Sequence, residues 1–319
     1  MILITGGTGF VGKALVDYLL NEQIKICLAV RKRVKSLPDI ASQVELSNMS
    51  PTFNWSRALH SVSTIIHLAA RVHIMNDNDD NPLAEFRKVN TEVTLNLARQ
   101  AADAGVKRFV FISSVKVNGE ATMLGSHFRP EDRFIPDDPY GLSKYEAEQG
   151  LLAIAKETGM EVVIIRPPLV YGPQVRANFA SMMRWVNKGT PLPFGAIKNK
   201  RSLVAIDNLV SFINHCIEHP KAANEVFLIS DGEDVSTTEL LKKVSRSFGR
   251  KSRLIPVPVW LMTAAAKMIG KGDVANRLFG SLQVDSSKAR DLLGWKPVIT
   301  MDEQLKKTAD AYLENEKTL

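Results

Sequence analysis

Ile2-Leu-Ile-Thr5-Gly6-Gly-Thr-Gly9-Phe-Val-Gly12 opens the chain, and everything downstream is read from it. Ile2 to Thr5 make a short buried strand, and Lys13 to Leu20 continue with helical spacing. Strand, glycine turn and helix, in that order, are the context in which Gly-x-x-Gly-x-x-Gly binds a dinucleotide. Gly6 permits the tight turn and Gly9 lets backbone N–H groups approach a pyrophosphate. Gly12 lets helix and strand pack closely, and the helix N-terminus faces the anion. Thr8, Phe10 and Val11 complete the turn.

Outward from this turn, strands alternate with helices. Ile24 to Val30 is the second strand, Thr64 to Ala70 the next, and Arg108 to Ser114 another. Pro82 to Ala104 reads as a long helix ended by Gly105. The alternation implies a doubly wound parallel α/β sheet of Rossmann type, with ligands beyond the carboxyl ends of the strands. Gly6, Leu68-Ala69-Ala70 and Ser114 fall at those ends. His67 reads as a packed side chain. Asn76 to Asn81 reads as an acidic surface turn without calcium-loop spacing.

The end of the second strand bears on the cofactor. An NAD site places an acid there to bond the ribose 2′-hydroxyl. Here Val30 is followed by Arg31-Lys-Arg33, and the next acid is Asp39. Cations without a carboxylate suit a 2′-phosphate held by Arg31, so NADP(H) is favoured, with NAD(H) as the alternative.

Composition excludes several classes. The chain has 319 residues, 45% hydrophobic and 24% charged, with a net charge of +7. That balance suits anionic small ligands, and no basic run carries the interleaved aromatics of a nucleic-acid surface. Cys27 and Cys216 sit among apolar residues and read as buried thiols, with no disulfide framework and no metal spacing. No signal peptide is apparent, and a reducing, cytoplasmic location fits. The most apolar later stretch, Leu254 to Ile269, carries Pro256, Pro258, Thr263 and Lys267, and is too short and broken for an integral membrane segment.

Tyr140-Gly-Leu-Ser-Lys144 is the candidate catalytic string. Asp138-Pro139 before it is a helix-start signature, and helical spacing runs to about Thr158. Tyr140 and Lys144 then share one helix face. A lysine cation beside a phenol favours the phenolate, so the pair can move a proton while a hydride moves elsewhere.

From about Pro167 the segments shorten and Pro and Gly turns separate them. Phe179 to Asn187 and Ser236 to Phe248 read as helices, and Leu203 to Ile206 and Val226 to Ile229 as strands. The expected division is 1–166 for the dinucleotide and 167–319 mainly for substrate in a smaller α/β domain, with the chain crossing back between them.

Several strings, in order along nearly the whole chain, resemble the extended short-chain dehydrogenase/reductase family, the nucleotide-sugar epimerase/dehydratase group. They are the glycine turn, His67-Leu-Ala-Ala70, Ser113-Ser114, Tyr140-x-x-x-Lys144, Arg166-Pro-Pro-Leu-Val-Tyr-Gly-Pro173, Arg201-Ser-Leu-Val-Ala-Ile-Asp207 and Ser287-Lys-Ala-Arg-Asp-Leu-Leu-Gly-Trp295. The resemblance implies that Ser114 hydrogen-bonds the reacting oxygen and that Tyr140 is the acid/base. It implies that Lys144 bonds the nicotinamide ribose, and that the backbone at Pro167 lies near the carboxamide. It also implies that Arg201 and Arg277 hold a sugar diphosphate, that Asn178 and Phe194 line the nucleotide-sugar site, and that helices near 85–105 and 140–158 form a homodimer.

Two departures narrow the chemistry. Val115-Lys116 stand where dehydratases carry an Asp-Glu pair, which argues against 4,6-dehydration. Asn118-Gly119 stands where many members read Tyr-Gly. Ser-Val-Lys-Val-Asn-Gly-Glu120 is similar to a bacterial polysaccharide-cluster branch close to UDP-glucose 4-epimerases. The expectation is a carbon-4 oxidoreductase of a UDP-hexose or UDP-N-acetylhexosamine, leaning to NADPH-dependent 4-keto reduction. The alternatives are 4-epimerisation with retained NAD and a non-catalytic, dinucleotide-sensing relative, against which Ser114, Tyr140 and Lys144 together weigh.

Overall fold

The computed structural model describes residues 1–318 except 36, 47–48, 73–80, 133, 269 and 271. The acidic turn expected at Asn76 to Asn81 lies, up to residue 80, outside the described residues.

The strands are β1 (Ile2–Thr5), β2 (Ile26–Val30), β3 (Ala41–Glu45), β4 (Thr64–His67), β5 (Arg108–Ile112), β6 (Glu161–Arg166), β7 (Leu169–Tyr171), β8 (Arg201–Ala205), β9 (Glu225–Leu228) and β10 (Asp234–Val235). The helices are α1 (Phe10–Asn21), α2 (Ser56–Leu59), α3 (Pro82–Phe86), α4 (Val93–Asp103), α5 (Pro139–Thr158), α6 (Ala177–Asn187), α7 (Ile206–Glu218), α8 (Thr237–Ser247), α9 (Val259–Met268), α10 (Gly272–Phe279), α11 (Ser287–Leu293) and α12 (Met301–Thr318).

Seven strands form one parallel sheet in the order β3-β2-β1-β4-β5-β6-β9. Order reverses between β1 and β4, so the crevice at their carboxyl ends is the topological switch point where such sheets bind ligands. Thr5 pairs with both Ala29 and His67, and His67 with Phe111, which brings the strand ends level. The central strands β1, β2 and β4 are buried throughout, as a sheet covered on both faces requires. Leu15, Leu19, Leu209, Phe212, Ala289 and Leu293 cover one face from α1, α7 and α11. Ala58, Leu97, Ala101, Ala147 and Leu151 cover the other from α2, α4 and α5.

The helix expected at Pro82 to Ala104 is interrupted: Arg87–Glu92 form a π-helical segment between α3 and α4. Strand β3, Ala-Ser-Gln-Val-Glu, carries too little apolar pattern to be read from sequence. It forms at the sheet edge because β2 offers it a ladder. Strand β9, from the second half of the chain, pairs with β6 in the large sheet.

A second sheet, β10-β8-β7, has β7 and β8 parallel and β10 antiparallel. Its core joins Tyr171, Phe179, Met183, Leu203, Leu241, Val244, Met301 and Leu305. Among the described residues no helix is long and apolar enough to cross a membrane.

Candidate active site

The glycine turn is built as its sequence requires. Gly6 has φ +72°, and a Cβ there would lie 2.6 Å from the Ala69 nitrogen, so the turn and the end of β4 touch backbone to backbone. A Cβ on Gly12 would lie 2.7 Å from the Gly7 Cα, which seats α1 on the turn itself. Gly9 is the exposed N-cap of α1 and supplies no side-chain cap. The N–H groups of the first helical turn, at Phe10, Val11 and Gly12, therefore have no carbonyl partner within the helix, which is how a helix N-terminus offers itself to an anion. Thr8 is exposed beside them. Arg31, Lys32 and Arg33 are exposed at the end of β2, where Gln43 of β3 latches the loop by bonding both the N–H and the carbonyl of Val34 at 2.9 and 3.0 Å.

Helix α5 carries the tyrosine. Asp138 caps it, its Oδ2 accepting from the Gly141 N–H at 2.8 Å, and Pro139 is the first helical residue. Gly159, at φ +77°, ends it. Tyr140 and Lys144 fall on one face, as their spacing dictates. The Ser114 hydroxyl, just past β5, lies near the Tyr140 phenol and acts on it in the direction that favours the phenolate. Two residues 26 apart in sequence are thus brought together by the sheet and the helix lying on it. The Tyr140 ring also packs edge-on to Phe86 at 5.9 Å.

The charge state differs from the simple expectation that the lysine lowers the phenol. Burial, opposed by the Ser114 hydrogen bond and aided by Asp138, pushes Tyr140 up to about 12. Lys144 is 1% exposed with its Nζ 4.0 Å over the Phe111 ring. Burial lowers it to about 7, and Glu148, one turn on, acts in the opposite direction. Desolvation thus dominates both groups in the chain by itself. A full ammonium or another cation beside the phenol is needed to make it a base.

Glu148 belongs to a buried cluster that sequence reasoning missed. Its carboxylate pairs with Arg166 at 2.6 Å, the two side chains being 0% and 6% exposed. Arg166 also donates to Asn118 Oδ1 at 3.0 Å, and Asn118 Nδ2 donates to the Arg129 carbonyl at 2.7 Å. Asn118 is therefore a buried strut between Arg166 and the Arg129 carbonyl. Pro167 follows Arg166, and its carbonyl accepts from the Val115 N–H at 3.0 Å. Val115 is buried, and Lys116 pairs with Glu120 and with Asp138 at 3.0 and 3.1 Å.

A second buried chain also escaped the sequence. The Ala69 N–H donates to the Thr5 hydroxyl, and that hydroxyl donates to His67 Nδ1 at 2.8 Å. The Thr94 hydroxyl donates to the Asn90 carbonyl at 2.8 Å, so it accepts from His67 Nε2 at 3.0 Å, which assigns the tautomer. Asn90 Nδ2 reaches Ser143 Oγ at 3.0 Å, and Ser143 Oγ donates to the Tyr140 carbonyl at 2.8 Å. The glycine turn and the tyrosine helix are thereby tied through His67, which packs as a side chain. The one available signal was Asn90 itself, a poor helix former in a helical run. Ser113 Oγ is buried without a hydrogen-bond partner among the described residues, so a donor at the end of β5 is left for a bound group.

The remaining candidates lie in the second half. Arg201 donates to the carbonyls of Arg277 and Gly280 at 2.7 and 3.1 Å, and burial holds its guanidinium below the usual range. Phe194 packs on Phe279 at 6.4 Å. Asn199 and Thr237, not foreseen, bind the Leu278 carbonyl at 3.2 and 2.8 Å. Arg201, Phe194 and the backbone of Arg277 therefore meet at the C-terminal end of α10, while the Arg277 side chain is exposed. Asn178 is exposed on α6, and no described hydrogen bond joins it to that cluster.

A family model described as the NAD dependent epimerase/dehydratase family matches residues 2–230. The chain belongs to the NAD-dependent epimerase/dehydratase family. Among this family's members, a protein of Vibrio cholerae named UDP-glucose 4-epimerase is 51% identical over 315 residues, covering 98% of this chain and 95% of that one. An Escherichia coli protein named dTDP-4-dehydro-6-deoxyglucose reductase is 24% identical over 326 residues, 96% of this chain and 95% of the other. A solved structure of UDP-glucose 4-epimerase with UDP-glucose from Thermotoga maritima superposes with a TM-score of 0.77 at 26% identity, covering 99% of both chains.

Proposed function

We propose that this epimerase/dehydratase-family enzyme interconverts the two carbon-4 configurations of a UDP-hexose, with NAD retained in the site. The observation that carries the reading is the juxtaposition of Ser114 and Tyr140, with Lys144 one turn along the same helix. The 51% identity to a UDP-glucose 4-epimerase over 98% of the chain supports epimerisation. The NADPH-dependent 4-keto reduction expected from sequence yields to it, because the relative named for such a reduction is 24% identical. Arg31 to Arg33 then serve as solvated cations near the adenosine end, where the family name fits NAD(H) over NADP(H).

Gly6, Thr8, Gly9, Phe10, Val11, Gly12 and Leu68 to Ala70 would hold the dinucleotide, with Tyr140, Lys144 and Pro167 at its nicotinamide end. Bound NAD supplies a hydride acceptor that becomes the donor for the return step. Tyr140 takes the proton of the sugar O4 hydroxyl, Ser114 holds that oxygen, and Tyr140 returns the proton after the sugar has presented its other face. Lys144, when protonated, would offset the burial that holds the phenol near 12. Arg201, Phe194, Asn178 and Arg277 are assigned to the nucleotide-sugar side. In this reading 1–166 bind the dinucleotide, with α7 and β9 joining them, and most of 167–319 bind the sugar nucleotide. A homodimer through helices near 85–105 and 140–158 completes the reading and is checked by sedimentation velocity.

The test uses the purified chain with UDP-glucose and no added cofactor. Formation of UDP-galactose, with NAD released on denaturation, is the expected result. Consumption of a 4-keto sugar nucleotide only when NADPH is supplied, with no interconversion, overturns it.

A further inference from the structure

We infer that α9 and α10 form a surface that seats the protein on an anionic phospholipid membrane. This stands apart from the epimerase reading and does not depend on it. Helix α9 is Val-Trp-Leu-Met-Thr-Ala-Ala-Ala-Lys-Met, and none of its residues is buried. Trp260, Leu261, Ala264, Ala265 and Met268 are its exposed apolar residues. At about 100° per residue these positions lie on one continuous side of the helix, with exposed Lys267 at its margin. Trp260 is 72% and Met268 87% exposed. Helix α10 packs against α9 and adds exposed Val274 and Leu278, one turn apart. The contrast within the same half is sharp: α8 and α12 bury their apolar residues, Leu240, Leu241 and Val244 from one and Met301, Leu305 and Ala309 from the other.

Charge selects the occupant. From Arg250 to Phe279 the sequence carries Arg250, Lys251, Arg253, Lys267, Lys271 and Arg277 against a single acidic residue, Asp273. Arg250, Lys251, Arg253 and Lys267 are exposed. Two copies of this chain meeting through this surface would bring like charges together, whereas an anionic headgroup layer complements them. An exposed apolar helix face with a tryptophan and a basic margin is the pattern of a helix lying in the membrane interface. Each cation near an anionic bilayer adds to binding, and the attraction falls with salt.

Flotation of the full-length protein with phosphatidylcholine vesicles, with and without phosphatidylglycerol, tests this. The expected result is about tenfold more bound protein on the anionic vesicles, lost on raising the salt. Trp260→Glu with Met268→Glu should lower binding about tenfold, while Val298→Glu, at a position 64% exposed outside these helices, leaves it within about twofold. Should the double variant fold poorly, tryptophan emission decides: a blue shift on adding anionic vesicles, absent in Trp260→Phe, supports the inference. An unshifted spectrum, or equal flotation of the double variant and wild type, overturns it. A fall in sedimentation coefficient of the double variant without vesicles also overturns it, in favour of a second copy on this face.

Discussion

Two cations, Lys144 and Arg201, sit in the two halves of the molecule and are held in opposite ways. Lys144 lies inside a helix capped at both ends, four residues from its phenol, buried over an aromatic ring with a carboxylate one turn on. Arg201 starts a strand and is bound to carbonyls more than seventy residues away, at the end of α10. The first position follows from helix spacing and caps. The second exists because a short helix leaves its last carbonyls unpaired and a neighbouring donor reaches them. The difference teaches that the acid/base half is locally specified, whereas the substrate half depends on chain-distant contacts.

The sharpest way to probe the first half is Tyr140→Phe. Turnover should fall about 10³-fold, the scale of losing a positioned acid/base group, while dinucleotide affinity measured by fluorescence stays within about twofold. Preserved turnover would remove Tyr140 from the chemistry. Next in size is Glu148→Gln, which strands Arg166 in a buried site. Chemical denaturation should report about 3 kcal/mol lost, and a loss below about 1 kcal/mol would mean the pair matters little to the fold.

His67 gives a pH-dependent test of the tie between the halves of the site. Burial lowers it to about 3 from 6.5, so below pH 6.5 the unfolded chain takes up a proton that the folded chain refuses. Stability therefore falls as pH falls through that window, by about 2 kcal/mol at about pH 5. His67→Asn should flatten that slope in urea titrations across pH, and an unchanged slope would locate the acid sensitivity elsewhere. The smallest effect belongs to the second half. Arg201→Met should raise KM for the sugar nucleotide about tenfold with kcat little changed, and lower stability by about 1 kcal/mol as carbonyls of α10 lose their donor. A lowered Tm with unchanged KM would make Arg201 a strut and not a ligand-binding residue.

Much of the fold was legible because its signals are local. Glycine spacing after Ile2–Thr5 specified the turn, and Gly6 and Gly12 occupy places where a Cβ would strike backbone. Asp138 and Pro139 marked the start of α5. Strand β3 was illegible because its ladder with β2, and not its own polar pattern, makes it a strand. The strut Asn118 and the pair Glu148–Arg166 were illegible because hydrogen-bond partners 18 to 48 residues apart leave no periodic trace.

By itself the sequence determined which residue types carry the chemistry and the helix face that Tyr140 and Lys144 share, since spacing and caps act over a few residues. Tertiary structure alone decided that Ser114 meets Tyr140, that desolvation brings Lys144 down to about 7 and raises the phenol, and that Arg201 ends on α10. Burial and long-range hydrogen bonding are properties of the packed chain, and no short window of residues contains them.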